Sequence, residues 1–455
     1  MGIVSLVRSV WALLYAATSF VMFLLTGAAI NGTPTKNGTA NVVLSLLGNQ
    51  MSELPLTVLL MDVFLYTWLN VTGTFQQSTL AQCFNYVNVL TAIGLLYLFK
   101  RSYESKIVAQ KFLDQLSKES RGRVALPGLS APRFWQQFLN PMYWPKNCTV
   151  YENIPYWAQK EQMSALRTDG WQSVLQMALD VYQPNTVEGG DERPVLMYIH
   201  GGGWTSGTKS LMGPLLTEMI SHKWIVVSID YRLVAKAGYP TQLKDCKRAL
   251  RWVKDEVRIF GGNPNNIIVA GDSAGGHLAA LLALTMNLKE HQPGFENVDT
   301  TVRGCVAQSA LVDLMDVKGY RHHEGRARFI NEVSQREGSA ETQENLKFLT
   351  EHSPLYRVAD ATVPFLIVHG DLDIMAPIDS ARDFVQDFRV KSKAPIDFLE
   401  MPGAHHCFNM FSSPRTWYTT IATAEWLNYN FDRSSQQPDE KKKQIHELVE
   451  WSWTE

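Results

Sequence analysis

The sequence has almost no net charge and few cysteines, and each lack argues against a class of protein. Lys and Arg together number 42, Asp and Glu number 44, and the formal net charge is −2. Because nucleic-acid-binding proteins usually carry a basic excess, we expect no nucleic acid as a partner. The five cysteines are scattered and match neither a disulfide framework nor a CxxC metal site, so we predict no structural metal.

Charged side chains are also missing from long stretches of the first hundred residues. No charge lies between Arg8 and Lys36, and residues 10–30 form an apolar run. Residues 80–99 form a second run of similar length, which ends at Lys100. Since roughly 20 apolar residues in a helix cross the ~30 Å core of a bilayer, both runs predict transmembrane helices.

A third apolar segment, residues 56–69, is shorter and contains Asp62. A carboxylate near the bilayer midplane costs at least about 2.5 kcal/mol, so the number of spans stays at two or three. Two alternatives compete with a membrane region. The first run could be a cleaved signal peptide, although it is longer than the usual apolar core of one, and the later runs could be buried helices of a soluble domain. We favour a membrane protein, located in the endoplasmic reticulum or plasma membrane if the source is eukaryotic.

The signals for membrane topology disagree. Basic residues between 100 and 111 favour a cytoplasmic position for the segment that follows the second run. Two spans with Asp62 outside the bilayer would place the first three N-x-[ST] sequons on the opposite side, but the fourth sequon argues against this arrangement. The side that the C-terminal part faces therefore stays open. The sequons, which could carry glycans, begin at Asn31, Asn37, Asn70 and Asn147.

From about residue 175 the pattern changes to short apolar strands that alternate with helices. Such alternation is typical of βαβ units and predicts an α/β fold with a mainly parallel sheet. A long charged segment at about 311–357 interrupts it, where a lid-like insertion is expected. The predicted strands are 195–199, 224–229, 267–270, 302–308, 364–368 and 396–401. The predicted units are a membrane region (1–100), a connector (101–145), the α/β unit (146–432) and a charged tail (433–455).

The central motif is G-D-S-A-G at residues 271–275. It follows the apolar strand IIVA and precedes the helix-forming run AGGHLAALLAL. A serine on such a tight strand-to-helix turn is exposed at the edge of the sheet, and the N-terminus of the helix points at it. The motif alone is weak, but this context predicts that Ser273 is a nucleophile.

A second motif, H-G-G-G-W at residues 200–204, follows the apolar strand VLMYI. Glycines allow backbone N–H groups to approach a developing oxyanion, and the loss of one such donor typically costs about 10²–10³ in rate. We expect the oxyanion hole to consist of the N–H groups of Gly201, Gly202 and Ala274. A glycine-rich turn without chemistry is the alternative.

A nucleophilic serine needs a base and a carboxylate that orients the base. When the serine lies on a strand-to-helix turn of a mainly parallel sheet, the acid follows it in the chain and the histidine follows the acid. Asp371 and Asp373 both follow the strand PFLIV, and Asp373 is preferred because it lies in the loop before a proline. His405 and His406 both follow the last strand, IDFLEM, and either could be the base.

The remaining histidines have simpler explanations. His277 lies one turn into the helix after Ser273 and is expected to be packed and hydrogen-bonded. His322 and His323 lie in the insertion and are expected to be exposed rather than catalytic. No grouping of His, Asp and Glu has metal-ligand spacing, so the sequence does not support a metallohydrolase.

Over about residues 145–432 these motifs, in this order, resemble the hormone-sensitive-lipase-type carboxylesterases of the α/β-hydrolase superfamily. Membrane-associated esterases and prenylcysteine methylesterases have a similar layout. The resemblance implies an α/β-hydrolase fold with a lid, and neither cofactor nor metal. It also implies that Ser273 is the nucleophile, Asp373 the acid and His406 the base.

The resemblance predicts a membrane-anchored carboxylesterase or lipase that works through an acyl-enzyme. Its expected partners are a small lipophilic ester and the bilayer. An amidase, formamidase or acyltransferase would use the same residues, so these activities stay as alternatives. A catalytically inactive hydrolase used as a binding module is disfavoured, because such proteins usually lose the nucleophile or the histidine.

Overall fold

A computed structural model describes most of the chain. The described residues are 3–32, 38–119, 147–158, 177–320 and 324–432, with the shorter stretches 125–128, 131–132, 135, 162–163 and 167. Several predicted features lie outside them, namely the sequon at Asn37, His322, His323 and the tail 433–455.

In the described part of the chain, eight strands form one sheet in the order β1-β2-β4-β3-β5-β6-β7-β8. Strand β2 pairs antiparallel with both β1 and β4, and all other neighbours are parallel. The strands are β1 (Cys148–Pro155), β2 (Ala178–Pro184), β3 (Arg193–Ile199), β4 (Ile225–Ile229), β5 (Gly262–Asp272), β6 (Gly304–Gln308), β7 (Phe365–Gly370) and β8 (Ile396–Met401).

All six predicted strands are present in this sheet, so the predicted α/β fold is confirmed. Strands β4, β6 and β7 are buried along their whole length, as expected for parallel strands that are covered on both faces. Strands β1 and β2 were not predicted. Strand β1 is an edge strand with mostly exposed residues and no apolar run. Strand β2 is buried, but Asp180 and Gln183 interrupt its apolar residues.

Helices cover both faces of the sheet, and alternate residues of β3 show the division. Val195, Met197 and Ile199 belong to the core on one face, whereas Leu196 and Tyr198 belong to the core on the other. The helices after β3 are α6 (Pro214–Ser221), α7 (Thr241–Glu256), α8 (Ala274–Leu284), α9 (Glu324–Arg328), α10 (Gln343–Glu351), α11 (Ile378–Lys391) and α12 (Pro414–Phe431).

The N-terminal part is helical. Among its described residues, two helices are long and apolar enough to cross a membrane, and a bent pair of helices would make a third span if it counts as one. The bent pair consists of residues 45–53 and 55–71, which meet at 86°. The helices are α1 (Ile3–Asn31), α2 (Gly38–Glu53), α3 (Pro55–Val71), α4 (Thr74–Gln77) and α5 (Thr79–Glu119).

Contacts between these helices show their directions. Ala12 and Tyr15 of α1 pack with Leu69 of α3 and Ala81 of α5 at one end. At the other end, Ala29 packs beside Leu95 and Leu98 of α5, with Val58 and Leu59 of α3 against the same cluster. Helices α1 and α5 are therefore parallel, and α3 runs antiparallel between the same two ends. At about 25 Å, the 17-residue α3 is nearly long enough to cross the apolar core.

Asp62 lies inside this bundle rather than beyond it. The Asn88 amide donates to Asp62 Oδ1 at 2.9 Å and to the Tyr15 hydroxyl at 2.7 Å, so the carboxylate has a polar partner between helices. Asn31 and Asn70 end helices that run in opposite directions, and they lie at opposite ends of the bundle. The number of spans, two or three, stays a prediction.

Helix α5 joins the bundle to the sheet domain without a break. Its 41 residues run through residue 100, where the membrane region is predicted to end. Ala109, Phe112 and Leu113 belong to the same core as Trp417 and Trp426 of α12. The predicted division into units stays a prediction, but one helix contributes to both.

Candidate active site

Ser273 occupies the turn between β5 and α8 with φ 54° and ψ −118°. A non-glycine residue rarely adopts this conformation, which costs about 1–3 kcal/mol unless the surroundings impose it. The Ser273 N–H donates to the carbonyl oxygen of Gln308 at 2.9 Å. A Cβ on Gly275 would lie 2.1 Å from the carbonyl oxygen of Ile199, so only glycine fits beside the turn.

The loops after β7 and β8 bring Asp373 and His406 to this serine. His406 Nε2 lies 2.8 Å from Ser273 Oγ, and His406 Nδ1 lies 2.8 Å from Asp373 Oδ2. A carboxylate can only accept, so Nδ1 carries the proton and Nε2 is free to accept the serine hydroxyl proton. The three side chains form one hydrogen-bonded line.

Asp373 is fully buried and held on both oxygens. Its Oδ1 accepts the backbone N–H groups of Met375 at 2.9 Å and Ala376 at 2.8 Å. The other oxygen, Oδ2, bonds His406 and also lies 3.2 Å from His369 Nε2, which donates to the carbonyl oxygen of Ala376 at 2.6 Å. Sequence reasoning missed His369, because a histidine at the end of a strand looks like any buried polar residue.

The electrostatics of the pair favour an ionised carboxylate and a basic imidazole. Burial opposes charge on both groups. The attraction between the carboxylate and the imidazole outweighs that cost. It holds the pKa of Asp373 below its usual value and raises the pKa of His406 well above 6.5.

The two residues that the sequence left as alternatives have different partners. Asp371 Oδ1 accepts the N–H of Gly403 at 2.6 Å and so ties the loop of Asp371 to the loop of the histidines. His405 Nε2 lies 2.9 Å from the carbonyl oxygen of Ala29 in α1, to which it donates. The structure thus brings Asp373 and His406 to Ser273, while Asp371 and His405 hold the surrounding loops.

The predicted oxyanion hole lies beside the serine. A Cβ on Gly201 would lie 2.8 Å from the Asp272 carbonyl oxygen and 3.3 Å from Ser273 Cβ, so the two backbones almost touch. Among the described residues, no acceptor is bonded to the N–H of Gly201, Gly202 or Ala274. Unused backbone donors beside a serine hydroxyl can bind a developing oxyanion.

A second polar network is centred on Asp272, the residue that precedes Ser273. Asp272 is buried, and it accepts from the Tyr198 hydroxyl and from Asn409 Nδ2, the latter at 2.7 Å. Burial raises the pKa of this carboxyl group. Because Asn409 follows the histidine loop, the network links that loop to the end of β5. The sequence carries no signal for Asn409, which is a lone polar residue in a loop.

The predicted insertion packs on the glycine-rich loop. Trp204, the last residue of the H-G-G-G-W motif, lies edge-on to Phe329, with ring centroids 5.3 Å apart. It also lies edge-on to His277 at 5.2 Å, and His277 Nε2 lies 3.0 Å from the carbonyl oxygen of His352. His277 is therefore packed and hydrogen-bonded, as the sequence predicts. In the described part of the chain, no cluster of three or more His, Cys, Asp or Glu side chains suits a metal ion.

Fold and site together define the class of the protein. A mostly parallel sheet carries a serine at a strand-to-helix turn, followed in chain order by an aspartate and a histidine that reach it. This is the layout of the α/β-hydrolase fold. The chain is an α/β-hydrolase-fold protein, as the motifs predict.

More particularly, residues 179–388 match the family model BD-FAE. Among similar proteins, the probable carboxylic ester hydrolase LipM of Mycobacterium tuberculosis is 34% identical over 250 residues. That match covers 55% of this chain and 57% of LipM. A probable isoprenylcysteine alpha-carbonyl methylesterase of Arabidopsis thaliana is 28% identical, over 49% of this chain and 47% of the relative. The predicted resemblance to esterases of this fold is confirmed.

The chain spans less than two thirds of the length of these relatives. Among solved structures, a truncated form of carbohydrate esterase from gut microbiota superposes with a TM-score of 0.52 at 19% identity. That match covers 65% of this chain and all of the other, and it shows the fold alone.

Proposed function

We propose that this protein is a membrane-bound serine carboxylesterase that uses Ser273, His406 and Asp373. The observation that carries the proposal is the hydrogen-bonded line from Asp373 through His406 to Ser273, with both distances at 2.8 Å. Serine, histidine and aspartate side chains that do not bond one another occur in many structural roles. Such a line, beside three free backbone N–H groups, has the geometry that acyl transfer requires.

The reaction begins when Ser273 Oγ attacks the ester carbonyl carbon and His406 Nε2 takes the hydroxyl proton. The carbonyl oxygen becomes an oxyanion, which accepts from the N–H groups of Gly201, Gly202 and Ala274. Asp373 stabilises the imidazolium and keeps its orientation.

The tetrahedral intermediate then breaks its bond to the alcohol oxygen. His406 donates its proton to that oxygen, and the alcohol leaves an acyl group on Ser273. A water molecule attacks the acyl carbon while His406 takes one of its protons. The second intermediate breaks the bond to Oγ, the proton returns to Ser273, and the carboxylic acid leaves.

We propose esters rather than amides as the substrates, because the similar proteins are named as ester hydrolases. An amidase, formamidase or acyltransferase would share the acyl-enzyme, so the bond type needs a direct test. Comparing turnover on matched ester and amide substrates separates these activities.

The helical bundle supports a location in a membrane. Large apolar side chains on α1, α3 and α5 face outward, as the exposure of Leu13, Phe64 and Ile93 illustrates. Burying such a surface in lipid is favourable at about 25 cal/mol per Å². An ester that partitions into the bilayer would then be concentrated beside the site, so we propose lipophilic esters as substrates.

The central test is hydrolysis of 4-nitrophenyl esters, from acetate to palmitate, by the full-length protein in detergent. We expect turnover by the wild type, none above background by Ser273→Ala, and normal turnover by Ser221→Ala, an exposed serine at the end of α6. Equal activity of Ser273→Ala and wild type would refute the assigned nucleophile. Retention of the protein in membranes after carbonate extraction tests the membrane location.

A further inference from the structure

The loop that carries His406 is held from outside the sheet domain. We call residues 402–407 the base loop. Asn49 of α2 donates its side-chain amide to the carbonyl oxygen of His406 at 3.2 Å and to that of Cys407 at 3.3 Å. Asn49 and His406 are 357 residues apart in sequence. The Asn49 amide thus holds the carbonyl groups of His406, which bonds Ser273, and of the next residue, Cys407.

Other contacts tie the N-terminal helices to the same loop. Ser52 Oγ donates to the Gly403 carbonyl oxygen at 3.2 Å, and His405 donates to the Ala29 carbonyl oxygen at 2.9 Å. The base loop is therefore attached to both α1 and α2, although neither helix belongs to the α/β-hydrolase sheet.

Helix α2 has two different faces, and its orientation explains why it reaches this loop. Asn49 and Ser52 are buried against the sheet domain, whereas Val43 and Leu46 on the same helix are 48% and 57% exposed. The 86° bend between α2 and α3 lays α2 across the end of the bundle. Its polar face covers the base loop, and its apolar face points away.

The backbone at this point needs support. Cys407 has φ 53°, a left-handed conformation that a non-glycine residue adopts only when its surroundings impose it. The imidazole of His406 must stay within hydrogen-bond reach of both Ser273 and Asp373, and a shift of 1 Å in such a group can cost about 10²-fold in rate. The Asn49 amide bonds both residues of this strained turn.

We propose that Asn49 is a positioning residue that keeps His406 aligned with Ser273, so that the N-terminal helical region completes the active site. The proposal rests on the proposed function, because it takes His406 as the base. Asn49 touches neither substrate nor reacting atoms, and it acts through the carbonyl groups of the base loop.

The test compares Asn49→Ala and Asn49→Asp with wild type in the full-length protein in detergent, on 4-nitrophenyl butyrate. Aspartate has the same shape as asparagine, but its carboxylate cannot donate to a carbonyl group. Asn88→Ala is the matched control, because Asn88 is a buried amide of the same bundle that bonds Tyr15 and Asp62 instead of the base loop. Titration with a fluorophosphonate gives the fraction of active sites in each preparation.

We expect kcat per active site to fall about 10- to 100-fold in both Asn49 variants, with KM nearly unchanged. The acid limb of the kcat/KM profile should move to lower pH, because a displaced loop weakens the contact between His406 and Asp373. Asn88→Ala should keep both the kcat per active site and the acid limb of wild type.

Each result bears on one claim. Wild-type kcat and an unchanged acid limb in Asn49→Asp would overturn the positioning role, even if that variant yields less active protein. A similar loss in Asn88→Ala would also overturn it, because the effect would then be a general one of the bundle. If wild type hydrolyses no ester, or Ser273→Ala keeps its activity, the proposed function fails instead.

Discussion

His405 and His406 are neighbours in sequence, yet their imidazoles bond in different directions. His406 Nε2 lies 2.8 Å from Ser273 Oγ in the sheet domain, whereas His405 Nε2 lies 2.9 Å from the Ala29 carbonyl oxygen in the helical bundle. One pair of residues therefore joins Ser273 to the N-terminal helices.

Asp373→Asn should be far more damaging than Asp371→Asn. An amide at position 373 cannot hold the imidazolium, and the equivalent change in other serine hydrolases lowers kcat by about 10⁴. Asp371 only accepts the Gly403 N–H, which an asparagine oxygen can also do, so we expect less than about a tenfold loss. Steady-state kinetics on one ester measures both. The reverse order would mean that Asp371 is the acid.

Activity should rise with pH through the pKa of His406. The protonated imidazole cannot accept the serine proton, and the Asp373 carboxylate raises the pKa of His406 well above 6.5 despite its burial. The acid limb of kcat/KM is therefore expected above pH 6.5. In Asp373→Asn the residual activity should show this limb at lower pH, since the attracting charge is gone. An acid limb at the same pH in both proteins would contradict this assignment.

Gly201→Ala should lower kcat by about 10²–10³, because the new Cβ would push the loop away from the Asp272 carbonyl oxygen and displace an oxyanion donor. Gly213→Ala is the matched control. Gly213 has φ −82°, and a Cβ there would meet no atom within 4 Å. Comparing kcat at saturating ester separates this effect from weaker binding. Wild-type kcat in Gly201→Ala would exclude Gly201 from the oxyanion hole.

Breaking the ion pair of Glu53 and Arg415 should destabilise the joint between the bundle and the sheet domain. Both side chains are fully buried, so Glu53→Gln leaves an unpaired buried guanidinium and should cost about 3–5 kcal/mol. Thermal unfolding in detergent, followed by tryptophan fluorescence, measures the change. Glu332→Gln, in the exposed pair with Arg328, should cost less than about 1 kcal/mol. Equal costs would show that the buried pair contributes no more than a surface pair.

The side of the membrane can be tested at Asn147. The basic residues between 100 and 111 lie at the sheet-domain end of α5, which favours a cytoplasmic sheet domain. Asn147 lies in that domain and is exposed, so its side chain would be accessible for glycosylation on the lumenal side. Because a cytoplasmic domain receives no N-glycan, we expect none on Asn147 in a eukaryotic host. The measurement is electrophoretic mobility with and without endoglycosidase. A mobility shift that is lost in Asn147→Gln would place the domain on the lumenal side.

Local pattern determined much of this protein. Apolar runs between turn residues identified six of the eight strands, β3 to β8, and the signal is strongest for inner strands such as β4, β6 and β7, because a strand covered on both faces must be apolar throughout. The G-D-S-A-G motif identified the serine turn, since a chain that passes so close to neighbouring carbonyl groups needs glycine at position 275. Both features follow from a few consecutive residues, so the sequence alone is enough to predict them.

The sequence pattern preferred Asp373 and the resemblance implied His406, but the contacts that these side chains make come from the tertiary structure. Asp371 and Asp373 both follow β7, and His405 and His406 both follow β8. The packing of these two loops brings Asp373 and His406, rather than their neighbours, to Ser273. The role of Asn49 and the antiparallel course of α3 rest on contacts between residues that are far apart in sequence. Hydropathy records which segments avoid water, but not which neighbours they meet, because that depends on how the whole chain packs.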